Sequence, residues 1–128
     1  MLELLQKERL SLHDMQEFHK ELDAAKGFDT DFIKNVAYFT AEVGEMINAY
    51  RHYSKTLDSA EPNGNMNPNS DVEHAHTHLA EELADCLAYV VKLANYAKVD
   101  LEVAYVGKMT RNVARSWSGM DLRRGHGG

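Results

Sequence analysis

Between Val36 and Tyr50 the chain reads VAYFTAEVGEMINAY, apolar around most of a helical circumference yet carrying Glu42 and Glu45 in its middle. Carboxylates three apart on a helix lie about 60° apart around its axis, so both point at one spot. Left unpaired in apolar surroundings, such a carboxylate costs on the order of several kcal/mol or takes up a proton. Compensation has to come from outside this helix. The stretch from His78 to Val99, HLAEELADCLAYVVKLANYAKV, repeats the pattern: Asp85 is the only charged residue between Leu83 and Val91, and Glu82 stands three before it. Four oxygen donors from two facing helices would make a site for a hard cation, and Mg²⁺ or Mn²⁺ suits such ligands best.

The other segments follow the helical period. Leu12, Met15, Phe18 and Leu22 recur three or four apart, with Ser11 as N-cap and Gly27 as stop, and predict an amphipathic helix. Residues 1–10 show no clear element. Asp29 or Thr30 caps the first carboxylate helix, which is expected to run to about His52. Residues 54–77 hold both prolines and a cluster of Asn with almost nothing to bury, and predict a long polar loop, either mobile or a lid. Asp100 caps a last helix ending near Trp117, and residues 118–128 read as a polar tail. No stretch alternates with period two. The expectation is one all-α domain over 1–128, its core about 11–117, with four principal helices in a bundle. The carboxylate helices are apolar on more than one face, which predicts burial against a second copy, as a homodimer or homotetramer.

A formal net charge of −6 argues against general nucleic-acid binding, which needs a basic face. No apolar run is long enough for a membrane span and no charged-then-apolar leader is present, so a cytoplasmic protein is expected. The single cysteine, Cys86, lies in the apolar part of its helix and reads as a core residue. Gly44 and Gly107 fall inside helices, where each costs about 1 kcal/mol relative to Ala, and close helix contact would explain them. In the last helix Lys108, Asn112 and Arg115 are spaced four and three apart on one face, with Arg111 nearby. Alone they are a solvated basic stripe; opposite an Mg²⁺-loaded cluster they suit a polyphosphate. His74, His76 and His78 read as surface histidines of the loop rather than zinc ligands. Glu73 and His76 have the spacing of a di-iron motif, but it occurs once where that architecture needs two. Phosphate-loop, dinucleotide and nucleophile-elbow motifs are missing.

Taken in order, Glu42-Val-Gly-Glu45, Glu81-Glu82-Leu-Ala-Asp85 with Tyr89, Val99-Asp100-Leu101, and Lys108-Met109 with Asn112 and Arg115 resemble the MazG-type all-α nucleoside triphosphate pyrophosphohydrolases. Within them the dCTP pyrophosphatase-like branch is most similar. The resemblance spans roughly Leu12 to Trp117. It implies a Mg²⁺-dependent cleavage of an NTP or dNTP to the monophosphate and pyrophosphate in the house-cleaning of nucleotide pools. Glu42, Glu45, Glu82 and Asp85 match the metal ligands, with Glu45 the choice for general base. Lys108, Asn112 and Arg115 match positions near the phosphates, and Tyr89 one lining the pocket. His19 and Phe28 fall near places where related enzymes contact the base. The chain departs from the branch at Arg51-His52-Tyr53, where a Trp is expected. A phosphoribosyl-ATP pyrophosphohydrolase shares the carboxylate logic, and a non-catalytic helical oligomer is the alternative from a different class.

Overall fold

The computed structural model describes residues 1–59 and 68–117. The elements are α1 (Leu2–Leu5), α2 (Leu12–Lys26), α3 (Phe32–Ser59), α4 (Pro68–Tyr96) and α5 (Leu101–Trp117). Among the described residues there is no strand, so the fold is all-α, with four principal helices after the short α1. No described helix is long and apolar enough to cross a membrane.

Local chemistry sets the ends of α2. Ser11 Oγ accepts from the Asp14 N–H and Asp14 Oδ2 accepts from the Ser11 N–H, each at 3.0 Å, closing a capping box. Lys7 Nζ donates to the other Asp14 oxygen at 2.8 Å. Gly27 ends the helix at φ 65°, a left-handed conformation that a side chain would strain. The cap of α3 falls one or two residues later than expected: Asp31 Oδ2 accepts from the Lys34 N–H at 2.9 Å. Buried Asn35 then ties that turn down, donating to the carbonyls of Asp29 and Asp31 at 2.8 and 2.7 Å.

Both carboxylate helices are longer than the sequence reading allowed. α3 passes His52 and continues to Ser59, and α4 begins at Pro68 rather than near His78. Of the expected loop at 54–77, residues 54–59 and 68–77 are therefore helical, while 60–67 lie outside the described residues, as does the tail at 118–128. Pro68 suits a helix start because its missing N–H would have no intrahelical partner there. α3 and α4 pack along each other as the main pair, α2 lies on α4, and α5 packs chiefly on α2. The fully buried apolar side chains are small, Ala49 on α3 and Ala75, Val91 and Ala94 along α4, with Val91 1% exposed.

A polar clamp holds α2, α4 and α5 together. Gln16 Nε2 donates to Asn95 Oδ1 and to the Val99 carbonyl, each at 2.9 Å, and Gln16 Oε1 accepts from the Leu101 N–H at 3.1 Å. Asn95 returns a bond to the Gln16 carbonyl at 2.9 Å. Asp100 caps α5 through the Val103 N–H at 3.1 Å and meets His13 Nε2 at 2.8 Å. The close helix contact expected at Gly44 and Gly107 is not made among the described residues. A methyl group on Gly44 would meet nothing within 4 Å, and one on Gly107 would meet Arg111 Nη1 at 3.7 Å.

Two measurements check the capping box. Ser11→Ala should lower stability by about 1 kcal/mol in chemical denaturation. Folding takes the Asp14 carboxyl from 3.8 to about 2, chiefly through Lys7 and then the Ser11 N–H. A depressed carboxyl stabilises the native chain above its unfolded value and loses that contribution as pH falls through the folded one. Asp14→Asn should therefore lower Tm at neutral pH, and its gap to the wild type should close as pH falls from about 4 towards 2.

Candidate metal centre

α3 turns Glu42 and Glu45 towards α4, and Glu82 meets them there. One carboxylate oxygen from each of the three lies within 4.8 Å of the other two. Glu42 Oε2 and Glu82 Oε2 are buried and have no hydrogen-bond partner among the described residues. Like charges this close cannot all ionise at ordinary cost. Burial first, then the neighbouring Glu45, pushes the Glu42 carboxyl from 4.5 up to about 7. Two orphaned carboxylate oxygens beside a third carboxylate fit a hard divalent cation, which would satisfy both and cancel the repulsion. Glu42, Glu45 and Glu82 are the residues that could hold it.

The other expected residues divide into two groups. Asp85 is exposed and outside the convergent trio, one turn along α4 from Glu82, but its charge adds to the upward push on Glu42. Tyr89 borders the cluster, its phenol raised by burial and then by Glu42. Cys86 is half-buried, and burial followed by Glu42, Glu82 and Asp85 drives its thiol up, away from the thiolate a nucleophile needs. Lys108, Asn112 and Arg115 lie on α5, a helix that packs on α2 while the carboxylates sit between α3 and α4. Arg115 Nη2 donates to Asn112 Oδ1 at 2.7 Å, so these two do share a face as their spacing required.

His19 and Phe28 are brought to Tyr89 by a residue the sequence reading passed over. Lys92 Nζ lies 5.1 Å from the ring centroids of both Phe28 and Tyr89. Lys92 also pairs with buried Asp23 at 3.6 Å, and burial followed by Lys92 lowers the His19 pKa, which favours its neutral form. The signal was available: Lys92 is the only charged residue between Cys86 and Ala97, an intruder in an apolar helix as much as Asp85 is.

The histidines need correction. His74, His76 and His78 lie on α4 and not in a loop, because the helix starts ten residues earlier than His78. His76 rests against the Tyr53 ring, centroids 5.2 Å apart. His78 Nε2 stands 3.7 Å from Glu82 Oε1, and with His52, Asn48 and Glu45 it lines an open cavity of about 380 Å³ beside the cluster. His52 belongs to the segment Arg51-His52-Tyr53 that departs from the expected pattern.

Metal-free protein should carry the repulsion openly. A carboxyl raised on folding stabilises the native state below its unfolded value, 4.5, and loses that contribution as pH rises through about 7. In EDTA, Tm should thus fall between about pH 5 and pH 8, and Mg²⁺ or Mn²⁺ should raise it again at the upper end. Glu42→Gln should remove most of both effects, read by differential scanning fluorimetry.

Residues 31–116, which contain the three converging carboxylates, match the family described as the MazG nucleotide pyrophosphohydrolase domain. A comparison with curated proteins gives no match.

Proposed function

The chain belongs to the MazG nucleotide pyrophosphohydrolase family, and from that premise we propose that it cleaves a nucleoside triphosphate, ribo or deoxy, to the monophosphate and pyrophosphate with Mg²⁺, or Mn²⁺ in its place. The observation that carries this reading is the meeting of Glu42, Glu45 and Glu82 with two buried carboxylate oxygens unsatisfied. A triphosphate bears about four negative charges, and a cluster of bare carboxylates would repel it. When bound, the divalent cation supplies the opposite charge, orients the scissile bridge and acidifies the attacking water.

The residues then divide the work. Glu42 and Glu82, each half-buried with one oxygen shut from water, hold the cation from α3 and α4, with Asp85 completing the set from the exposed side. Glu45 is the exposed member of the trio and lines the open cavity, which leaves it able to take the proton of the attacking water. Phe28 and Tyr89 offer ring faces to a base, and His19 a neutral imidazole edge.

Lys108, Asn112 and Arg115 bind the phosphates, and they do so within a homodimer or homotetramer. α5 presents Val103, Val106, Met109 and Val113 to solvent, with Val103 at 65% and Val106 at 60% exposure, while α3 and α4 leave Ile47, Leu83 and Leu87 bare. A second copy covering these faces closes the bundle and brings the cationic stripe of one copy towards the carboxylate cluster of the other. The biological role is house-cleaning of nucleotide pools in the cytoplasm.

The deciding experiment is pyrophosphate release from a panel of NTPs and dNTPs with Mg²⁺, with Mn²⁺ and with EDTA. Metal-dependent release with the monophosphate as co-product is the expected result; no release from any nucleotide by folded, metal-loaded protein would sink the reading. Glu45→Gln and Asp85→Asn should each cut turnover by about a hundredfold or more while keeping the helical circular dichroism. Val106→Asp should shift sedimentation towards monomer and lower turnover with it.

A further inference from the structure

His78 stands one helical turn before Glu82 on α4, and its Nε2 lies 3.7 Å from Glu82 Oε1. That is beyond the roughly 3.2 Å reach of a good hydrogen bond. It is near the spacing of two ligands on one cation: with bonds of about 2.1 Å to the metal, neighbouring donors of a tetrahedral ion sit about 3.4 Å apart. The Glu82 side chain is only 12% exposed, and its Oε2 is buried without a hydrogen-bond partner among the described residues. A surface ion pair leaves its carboxylate solvated, whereas this one is shut in with an acceptor unmet.

Across from it, α3 presents Glu45, Asn48, Ala49 and His52, whose steps of three, one and three make one stripe of a helix. Tyr53 against His76 and Glu45 against Glu82 fix the antiparallel register of α3 and α4. His52 and His78 fall between those two contacts. Both line the open cavity of about 380 Å³ that also takes in Glu45, Asn48 and Glu82. Zinc was set aside for the histidines at 74–78 because a loop was expected there; for His78, its place on α4 opposite His52 removes that objection.

We propose that His78, His52 and Glu82 form a second metal site, a two-histidine, one-carboxylate set for Zn²⁺, joined to the carboxylate centre through Glu82. Three protein ligands with a fourth position left open is the make-up of an accessible zinc site, and here that position faces the cavity and takes water or an anionic oxygen. Imidazole nitrogen suits Zn²⁺, whereas Mg²⁺ takes oxygen ligands and keeps its waters. The two sites therefore sort cations by donor type. Glu82 serves both, turning Oε1 towards His78 and leaving its other oxygen to Glu42 and Glu45. The second site shares this residue with the carboxylate centre but does not depend on the pyrophosphohydrolase reading.

The test uses Co²⁺ as the visible probe for Zn²⁺. The full chain, freed of metal with EDTA and then dialysed, is titrated with Co²⁺ in saturating Mg²⁺ and followed by absorption, with the Mg²⁺-induced shift in Tm measured alongside. One equivalent of Co²⁺ should bind with the intense bands of a four- or five-coordinate ion, and Zn²⁺ should displace it. His78→Ala and His52→Ala should each weaken that binding by about tenfold or more and leave the Mg²⁺ shift in Tm unchanged. Both side chains are exposed, so the variants should fold, which circular dichroism verifies. A spectrum no different from that of free Co²⁺, or bands that survive either substitution in folded protein, would overturn the site. Neither result bears on the reaction class, which pyrophosphate release decides.

Discussion

Repulsion among Glu42, Glu45 and Glu82 is the constraint on which the arrangement of α3 and α4 turns. Two of the three have oxygens shut away from water without a partner, and the Glu42 carboxyl answers by rising to about 7. Apolar packing elsewhere along the pair has to outweigh that cost in the metal-free chain. Small buried side chains, Ala49 on α3 and Ala75, Val91 and Ala94 along α4, allow close helix packing. A divalent cation held there would remove the conflict, turning carboxylates that destabilise the metal-free chain into a cross-link between two helices.

Helix α2 and the start of α5 are placed by a different kind of contact. Gln16 uses both its amide nitrogen and its amide oxygen, binding Asn95, the Val99 carbonyl and the Leu101 N–H. Hydrogen bonds of this sort are directional, so they set the angle at which α5 leaves α4 through Lys98, whose φ is 58°. The consequence reaches function. α5 leans on α2 with its apolar seam exposed, while the converging carboxylates sit between α3 and α4.

The helix period, the caps at Ser11 and Asp100 and the stop at Gly27 were legible because each depends on a few neighbouring residues. The ends of α3 and α4 were not. Polar, Asn-rich and proline-containing text resembles a loop when read alone, but residues 54–59 and 68–77 extend helices already nucleated by the apolar pairing, and extension costs far less than nucleation. That extension also moved His78 from a supposed loop to a position 3.7 Å from Glu82. Asp23 and Lys92 went unread for a related reason: their partners are 69 positions apart in the chain, and neither spacing nor composition pairs them.

By itself the sequence determined that the chain is all-α and that Glu42, Glu45, Glu82 and Asp85 belong to two helices obliged to face each other. A charge in an apolar helix needs a partner, and that need is visible wherever hydrophobic periodicity is. Only the tertiary structure decided that three of the four converge while Asp85 stands aside, that Lys92 joins Phe28 to Tyr89, and that α5 packs on α2. Those outcomes depend on helix crossing and on the Gln16 clamp, which are properties of contacts between distant residues and leave no trace in the order of residues along either helix.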